Sequence, residues 1–412
     1  VNYRLFFTGQ LVSRTGTWMQ TVAQSWLVYR LTGSAALLGL VTFAMQAPIF
    51  LFAPIGGLVA DRFDRRKMLI WVQAAGAVPA ATLAALTVTG RVEVWHVFVL
   101  AAISGIVNGF DIPIRQAFVV EMVEREDLIS AIGLNSSMFH GARTIGPAVA
   151  GVLITLSGEG ICFLLNAISF GPVLLSFVVM KVAARESAGR RRHPLTEIRE
   201  GFVYAATTGP IRMILMIMGV GAFTAVSYVA LMPVFAEEVF GRGATGLGIL
   251  NAASGVGAVA GALTLASRTS VSGLGRWVAG ASGLFGVMLA VFTMAKTFQL
   301  ALGFLVLAGF FQIVLFSSSN TLIQTMVPNA LRGRVMSIYS MVFMGMAPLG
   351  ALFAGTIGER IGAPMIVALC GAFMFTAGLV FTLRLPVHRV EAQRLIIASG
   401  EVPVGAPVPD KE

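Results

Sequence analysis

Five polar residues in the first apolar stretch, Gln10, Arg14, Thr17, Thr21 and Gln24, follow one another at spacings of four, three, four and three. On an α-helix that spacing puts all five on one face. Hydrocarbon cannot satisfy such groups, so a membrane helix must turn this face to a neighbour or to a wet cavity. A similar stripe joins Ser104, Asn108, Asp111 and Arg115, and another joins Ser136, His140, Arg143 and Pro147. In the second half of the chain the polar groups are uncharged, with Tyr228 and Gln312 among them. Polar walls of this kind bind and steer a solute rather than break bonds. No P-loop pattern is present for nucleotide hydrolysis, and the four His residues have no metal-ligand spacing. The chain therefore reads as no enzyme, without metal or cofactor, and any uphill movement would draw on an ion gradient.

The charged members each carry two readings. An Arg near mid-membrane costs about 2.5–3.5 kcal/mol on insertion scales and is functional by default. Arg14 and Arg143 would thus either draw an anionic or electron-rich substrate inward or bond neighbouring backbone carbonyls. Asp111 would either exchange protons or pair with Arg65 or Arg115, since an opposite charge keeps a carboxylate ionised. His140 titrates near neutral pH if solvated, and is otherwise a hydrogen-bonded structural residue.

The elements that must position these residues are membrane helices. The 412 residues are 57% hydrophobic and 12% charged, with mean hydropathy +0.85, which is outside the range of water-soluble domains. Hydropathy and loop punctuation divide the chain into about twelve spans. The formal charge of +10 points to membrane topology, not nucleic acid, because the cations crowd particular loops. The run from Gly57 to Lys67 holds four of them. The positive-inside rule puts that loop in the cytoplasm, together with both chain termini. Only Arg30, Arg91, Arg242, Lys296 and Arg360 then fall in outer loops. Cys162 and Cys370 lie within apolar runs and read as buried small hydrophobes.

Residues 1–180 form one group of six spans and 211–385 a second, joined by a polar connection over 181–210. In that connection Leu195, Ile198, Phe202 and Ala205 recur at helical spacing, the pattern of an amphipathic helix on the membrane face. The tail, 386–412, is rich in Pro and poor in large apolar groups, and is expected to lack a fold. The halves repeat: at an offset of 204, Gly141, Gly146 and Gly151 match Gly345, Gly350 and Gly355, as in transporters built from two equivalent bundles.

Gly57-x-x-Ala60-Asp61-Arg62-x-x-Arg65-Arg66 resembles the signature loop of the major facilitator superfamily, and Gly146-Pro147-x-x-Ala150-Gly151 resembles its fifth-helix antiporter motif. Gly9-Gln10, Trp18-Met19-Gln20, Arg115-Gln116-Ala117-Phe118 and Arg332-Gly333-Arg334-Val335-Met336 look like the subgroup of enterobactin exporters and macrolide efflux proteins. The resemblance implies an all-α membrane protein, with twelve transmembrane helices in two pseudo-symmetric six-helix bundles, that exports by proton antiport and alternating access. It also implies a charge relay of Asp61, Arg65 and Asp111, flanked by Arg62 and Arg66. Val59, Asp64, Ala142 and Ala150 depart from the family pattern, and Asp64 offers the neighbouring arginines a competing partner.

The expected function is proton-coupled efflux of amphipathic organic molecules, siderophore-like or macrolide-like, by a monomer in the plasma (inner) membrane. Gln10, Arg14, Thr17, Thr21, Gln24, Asn108, Ser136, Arg143, Tyr228 and Gln312 would line its cavity, and Asp111 or His140 would carry the proton. The alternatives are a nutrient or lysophospholipid facilitator, and a non-transporting receptor or scaffold.

Overall fold

The computed structural model describes residues 2–122, 128–180, 194–268 and 270–398. Their regular structure is helical throughout. The order is α1 (Asn2–Thr32), α2 (Ala35–Arg62), α3 (Arg65–Val88), α4 (Val94–Met122), α5 (Leu128–Ser157), α6 (Glu159–Val179), α7 (Pro194–Thr207), α8 (Gly209–Ala230) and α9 (Met232–Val234). A π-helical turn over Phe235–Val239 leads to α10 (Gly243–Ala266), α11 (Leu274–Phe292), α12 (Phe298–Met326), α13 (Asn329–Ile361) and α14 (Ala363–Ala398).

Among the described residues, ten helical segments are long and apolar enough to cross a membrane. They are α2, α3, α4, α6, the unit from α8 through the π-turn, and α10 to α14. α1 is 31 residues long but fails on composition, whereas α5 enters among the described residues only as a shorter apolar stretch, Gly141–Ser157. The polar stripe of α1 is the reason it fails, since that face lines a protein-walled cavity and need not be apolar. Prolines inside α2, α3, α4, α5, α6, α13 and α14 are tolerated because neighbouring helices meet the freed carbonyls. Sharp reversals fall at glycine. Gly33 (φ 60°) and Gly362 (φ 87°) turn the chain between long helices in a region closed to most side chains.

The helix neighbours repeat between the halves. In the first, α1 packs on α5 and α6, α4 on α2 and α3, and α3 on α6; in the second, α8 packs on α13 and α14, α12 on α10 and α11, and α11 on α14. The halves meet along two seams, α2 against α13 and α5 against α10. Each seam closes on a pair of glycines. A β-carbon at Gly355 would lie 2.7 Å from the Ala35 carbonyl oxygen and 2.7 Å from the Gly39 α-carbon, and one at Gly151 would lie 3.0 Å from the Gly248 α-carbon. Backbone cannot yield at such distances. Gly355→Val is therefore expected to cost about 1–3 kcal/mol through overpacking. Its unfolding temperature in detergent should fall, and an unchanged value would refute the tightness of this seam.

Two expectations need correction. The tail does not lose its fold at Pro386, because α14 continues unbroken to Ala398. Beyond the proline, Ala392, Leu395 and Ile396 pack against the core, and His388 sits against Gly209. Such docking makes up for the backbone bond a proline removes. Residues 399–412 lie outside the described set. The helix expected after Pro194 is present as α7 but also docks on protein. It packs on α13 and α8, with Gly201 against Arg334, Ala205 buried and an ion pair from Arg334 to Glu200. Phe202 stays exposed. The side chains of Leu195 and Ile198 lie outside the described residues.

Candidate functional site: a polar cavity in the first half

All five residues of the α1 stripe, Gln10, Arg14, Thr17, Thr21 and Gln24, line one cavity of about 80 Å³. Its remaining walls come from α2, α3, α4 and α6, including Met45, Gln73, Asn108, Asp111, Asn166 and Phe170. The cavity therefore lies inside the first half rather than between the halves. Apolar side chains on the far faces hold these helices in place; Phe6, Phe118, Val173 and Phe177 form a buried cluster beside it.

Asp111 is the hub. Its Oδ2 accepts from Arg14 Nη2 at 2.8 Å and from Arg115 Nε at 3.1 Å, while Oδ1 accepts from Gln73 Nε2 at 2.7 Å. The Arg14, Arg115 and Asp111 side chains are 13%, 10% and 5% exposed, so solvent screens these pairs little. Two guanidiniums share one carboxylate. Protonating Asp111 would remove the charge that holds both guanidiniums. Gln20 and Asn166 extend the polar lining with a 2.6 Å hydrogen bond from Asn166 Nδ2.

The expected relay of Asp61, Arg65 and Asp111 is not assembled as such. Arg65 Nη1 donates to Glu121 Oε1 at 2.7 Å, Nη2 to Asp61 Oδ1 at 3.4 Å, and Nε to the Ala60 carbonyl at 2.9 Å. Glu121 takes the position expected of Asp111. The reason is depth: ten residues of α-helix put Asp111 about 15 Å further from the arginine-rich end of α4, beyond the reach of Arg65. Glu121 was missed, and its signal was its place at the end of α4 level with the start of α3. Gln73 was missed too, though a lone amide two turns inside an apolar helix marks a buried hydrogen bond. Asp64 does not compete for Arg65; its carboxylate caps α3 by accepting from Lys67 N at 3.1 Å. Arg66 donates to the Phe177 and Val178 carbonyls at the end of α6. Arg62 is exposed in the last turn of α2.

The other expected cavity residues collect elsewhere. Arg143 on α5 lies 5.7 Å from the Trp18 ring centroid and donates to Gln312 Oε1 on α12 at 3.5 Å, which joins the halves midway along both helices. Tyr228 is buried, with its hydroxyl 3.0 Å from Ser254 Oγ. None of Arg143, Tyr228 and Gln312 lines the α1 cavity. The side chains of Ser136 and His140 lie outside the described residues. In the fifth-helix motif Gly146 packs on Thr15 and Trp18 of α1, Pro147 is buried, and Gly151 meets Gly248 at the seam. Among the described residues no three His, Cys, Asp or Glu side chains cluster to hold a metal.

Opposite the arginine-rich end, side chains bond the halves directly. Glu359 on α13 accepts from Ser34 Oγ at 3.2 Å and from Ala36 N at 3.0 Å, capping α2. Tyr29 donates to Glu238 at 2.5 Å, and Thr155 and Thr245 hydroxyls lie 2.6 Å apart.

Against this geometry, the transmembrane secretion effector family matches residues 2–404. The chain belongs to that family. It is accordingly a major facilitator protein of the exporter type that its loop motifs resemble, a multi-pass membrane transporter of small molecules and not an enzyme. The staphyloferrin A transporter of Staphylococcus aureus is 26% identical to this family member, over 92% of this chain and 95% of the relative. The macrolide efflux protein A of Streptococcus pyogenes is 23% identical, over 92% and 96%. Among solved structures, the nucleoside transporter NupG superposes with TM-score 0.71 at 15% identity, over 93% of this chain and 98% of that one. At that identity the likeness concerns the fold alone.

Proposed function

We propose that the protein is a proton-coupled exporter of amphipathic small organic molecules, siderophore-like or macrolide-like, working by alternating access. One observation carries the reading: a membrane helix that breaks apolarity along one face devotes that entire face to an internal cavity, which a scaffold has no need to build. Relatives named for staphyloferrin A transport and macrolide efflux support the cargo class.

In this reading α1 and α5 complete twelve spans, residues 1–180 and 211–385 are the two rocking bundles, and 181–210 links them. The arginine-rich end of α2 and α3 faces the cytoplasm with both termini, in the inner membrane, and the protein acts as a monomer. The bonds from Glu359, Glu238 and Thr155 then clasp the outer side, which leaves the bundles open inward. Asp61, Arg65 and Glu121 clasp the cytoplasmic ends of α2, α3 and α4 within the first bundle, the surface on which the second bundle closes when the outer side parts. Asp111 carries the proton in exchange for Arg14, with His140 as a second acceptor, and Arg143, Tyr228 and Gln312 line the cleft that the bundles share.

Proteoliposomes test this. Substrate uptake into inverted vesicles should require an imposed proton gradient and stop within one assay time when a protonophore is added. Movement that continues at the same rate marks a facilitator, and no movement of any siderophore, macrolide or lysophospholipid marks a scaffold.

A further inference from the structure

The cavity in the first half holds more donors than its own acceptors use. Asp111 is the one carboxylate among the lining residues, and it is already shared by two arginines and an amide. A guanidinium has five N–H donors, and among the described residues Arg14 makes a single hydrogen bond, from Nη2. One helical turn away on the same face, Gln10 is 2% exposed, lines the cavity, and its Nε2 has no hydrogen-bond partner among the described residues. A buried amide N–H left unpaired is destabilising, more so where hydrocarbon surrounds the bundle. Two positive charges face one negative charge, and Gln10 lines the same space.

We infer that Gln10 and Arg14 form a carboxylate-binding subsite inside the first half, which takes an acidic group of the transported molecule while Arg14 gives up Asp111. The fork of a guanidinium matches the two oxygens of a carboxylate, and Gln10 supplies a third donor. A cavity of about 80 Å³ accepts a carboxylate on a short stem but not a whole siderophore, so the rest of the cargo lies outside it. Asp111 is the internal competitor: a cargo carboxylate at Arg14 replaces it, and Arg115 with Gln73 keeps hold of the displaced side chain. The subsite rests on the transporter reading for its role, yet its occupancy is measurable without transport.

Calorimetric titration of the purified full chain with benzoate, benzyl alcohol and benzylamine tests it. Benzoate should bind wild type at least tenfold more tightly than either comparison compound. Arg14→Gln should weaken benzoate about tenfold or more, the scale of a lost charge-assisted bond, and Gln10→Leu by a smaller factor. Arg91→Gln, on an exposed loop, should bind as wild type does. Asp111→Asn, which removes the competitor, should bind benzoate more tightly than wild type, and its unfolding temperature should rise more with benzoate. Arg14→Lys keeps the charge without the fork, should retain part of the affinity, and serves if Arg14→Gln does not fold. Equal binding of benzoate by wild type and the Arg14 variants, equal binding of benzyl alcohol, or no benzoate binding at millimolar concentration would each overturn the subsite. Vesicle transport is scored separately: export of a neutral macrolide with no benzoate binding removes the subsite and spares the exporter, whereas benzoate binding without any transport does the reverse.

Discussion

Asp111→Asn should lower the stability of the folded protein by about 3 kcal/mol, the lower end of the cost of removing one partner from a buried ion pair. Asn has the same shape but leaves Arg14 and Arg115 without their shared counter-charge. Its amide also turns two donors toward a site where Gln73 and the guanidiniums already donate. The second substitution decides the cause. Arg14→Gln together with Asp111→Asn leaves one buried cation, the same net charge as wild type, and should recover at least half the loss. Thermal and denaturant unfolding in one detergent give the double-mutant cycle, and a coupling energy under about 0.5 kcal/mol would mean additive, independent sites. An Asp111→Asn variant as stable as wild type would remove the three-residue cluster from the account.

Arg65→Ala should abolish transport while membrane insertion stays normal. Arg65 joins three helix ends at once, through the Ala60 carbonyl of α2, its own place on α3, and Glu121 and the Ala117 carbonyl of α4. Removing it frees buried acceptors and leaves Glu121, 17% exposed, without this cation. Glu121→Gln should slow transport about tenfold and by more than Asp61→Asn does, because Asp61 is 72% exposed and its contact is longer, and an exposed pair is screened. Initial rates of probe efflux in proteoliposomes, normalised to inserted protein, check the order. Equal rates in all three variants would dissolve the clasp, and Asp61→Asn as the most damaging of them would restore the first assignment of the motif.

These two clusters mark the boundary between what could be read from the chain and what could not. Membrane spans, their repeat and the face occupied by Gln10, Arg14, Thr17, Thr21 and Gln24 depend on local quantities: hydropathy over about twenty residues and a period of 3.6. All five stripe residues accordingly reach one cavity. The family loop was legible for the same reason, since its residues are consecutive. The partner of each buried charge was not. Arg14 and Asp111 are 97 positions apart, Arg65 and Glu121 are 56, and Arg143 and Gln312 are 169. Which of them meet depends on how deep each helix sits and which way it is rotated in the bundle.

By itself the sequence determined that the chain crosses a membrane repeatedly, that it is built twice over, and that one helix is polar along a single side. Only the tertiary structure decided that this side closes a cavity within one half, that Glu121 and not Asp111 holds Arg65, and that α14 continues past Pro386. Periodicity is carried by each helix alone, whereas a salt bridge across helices exists only after packing has brought their depths and rotations into register.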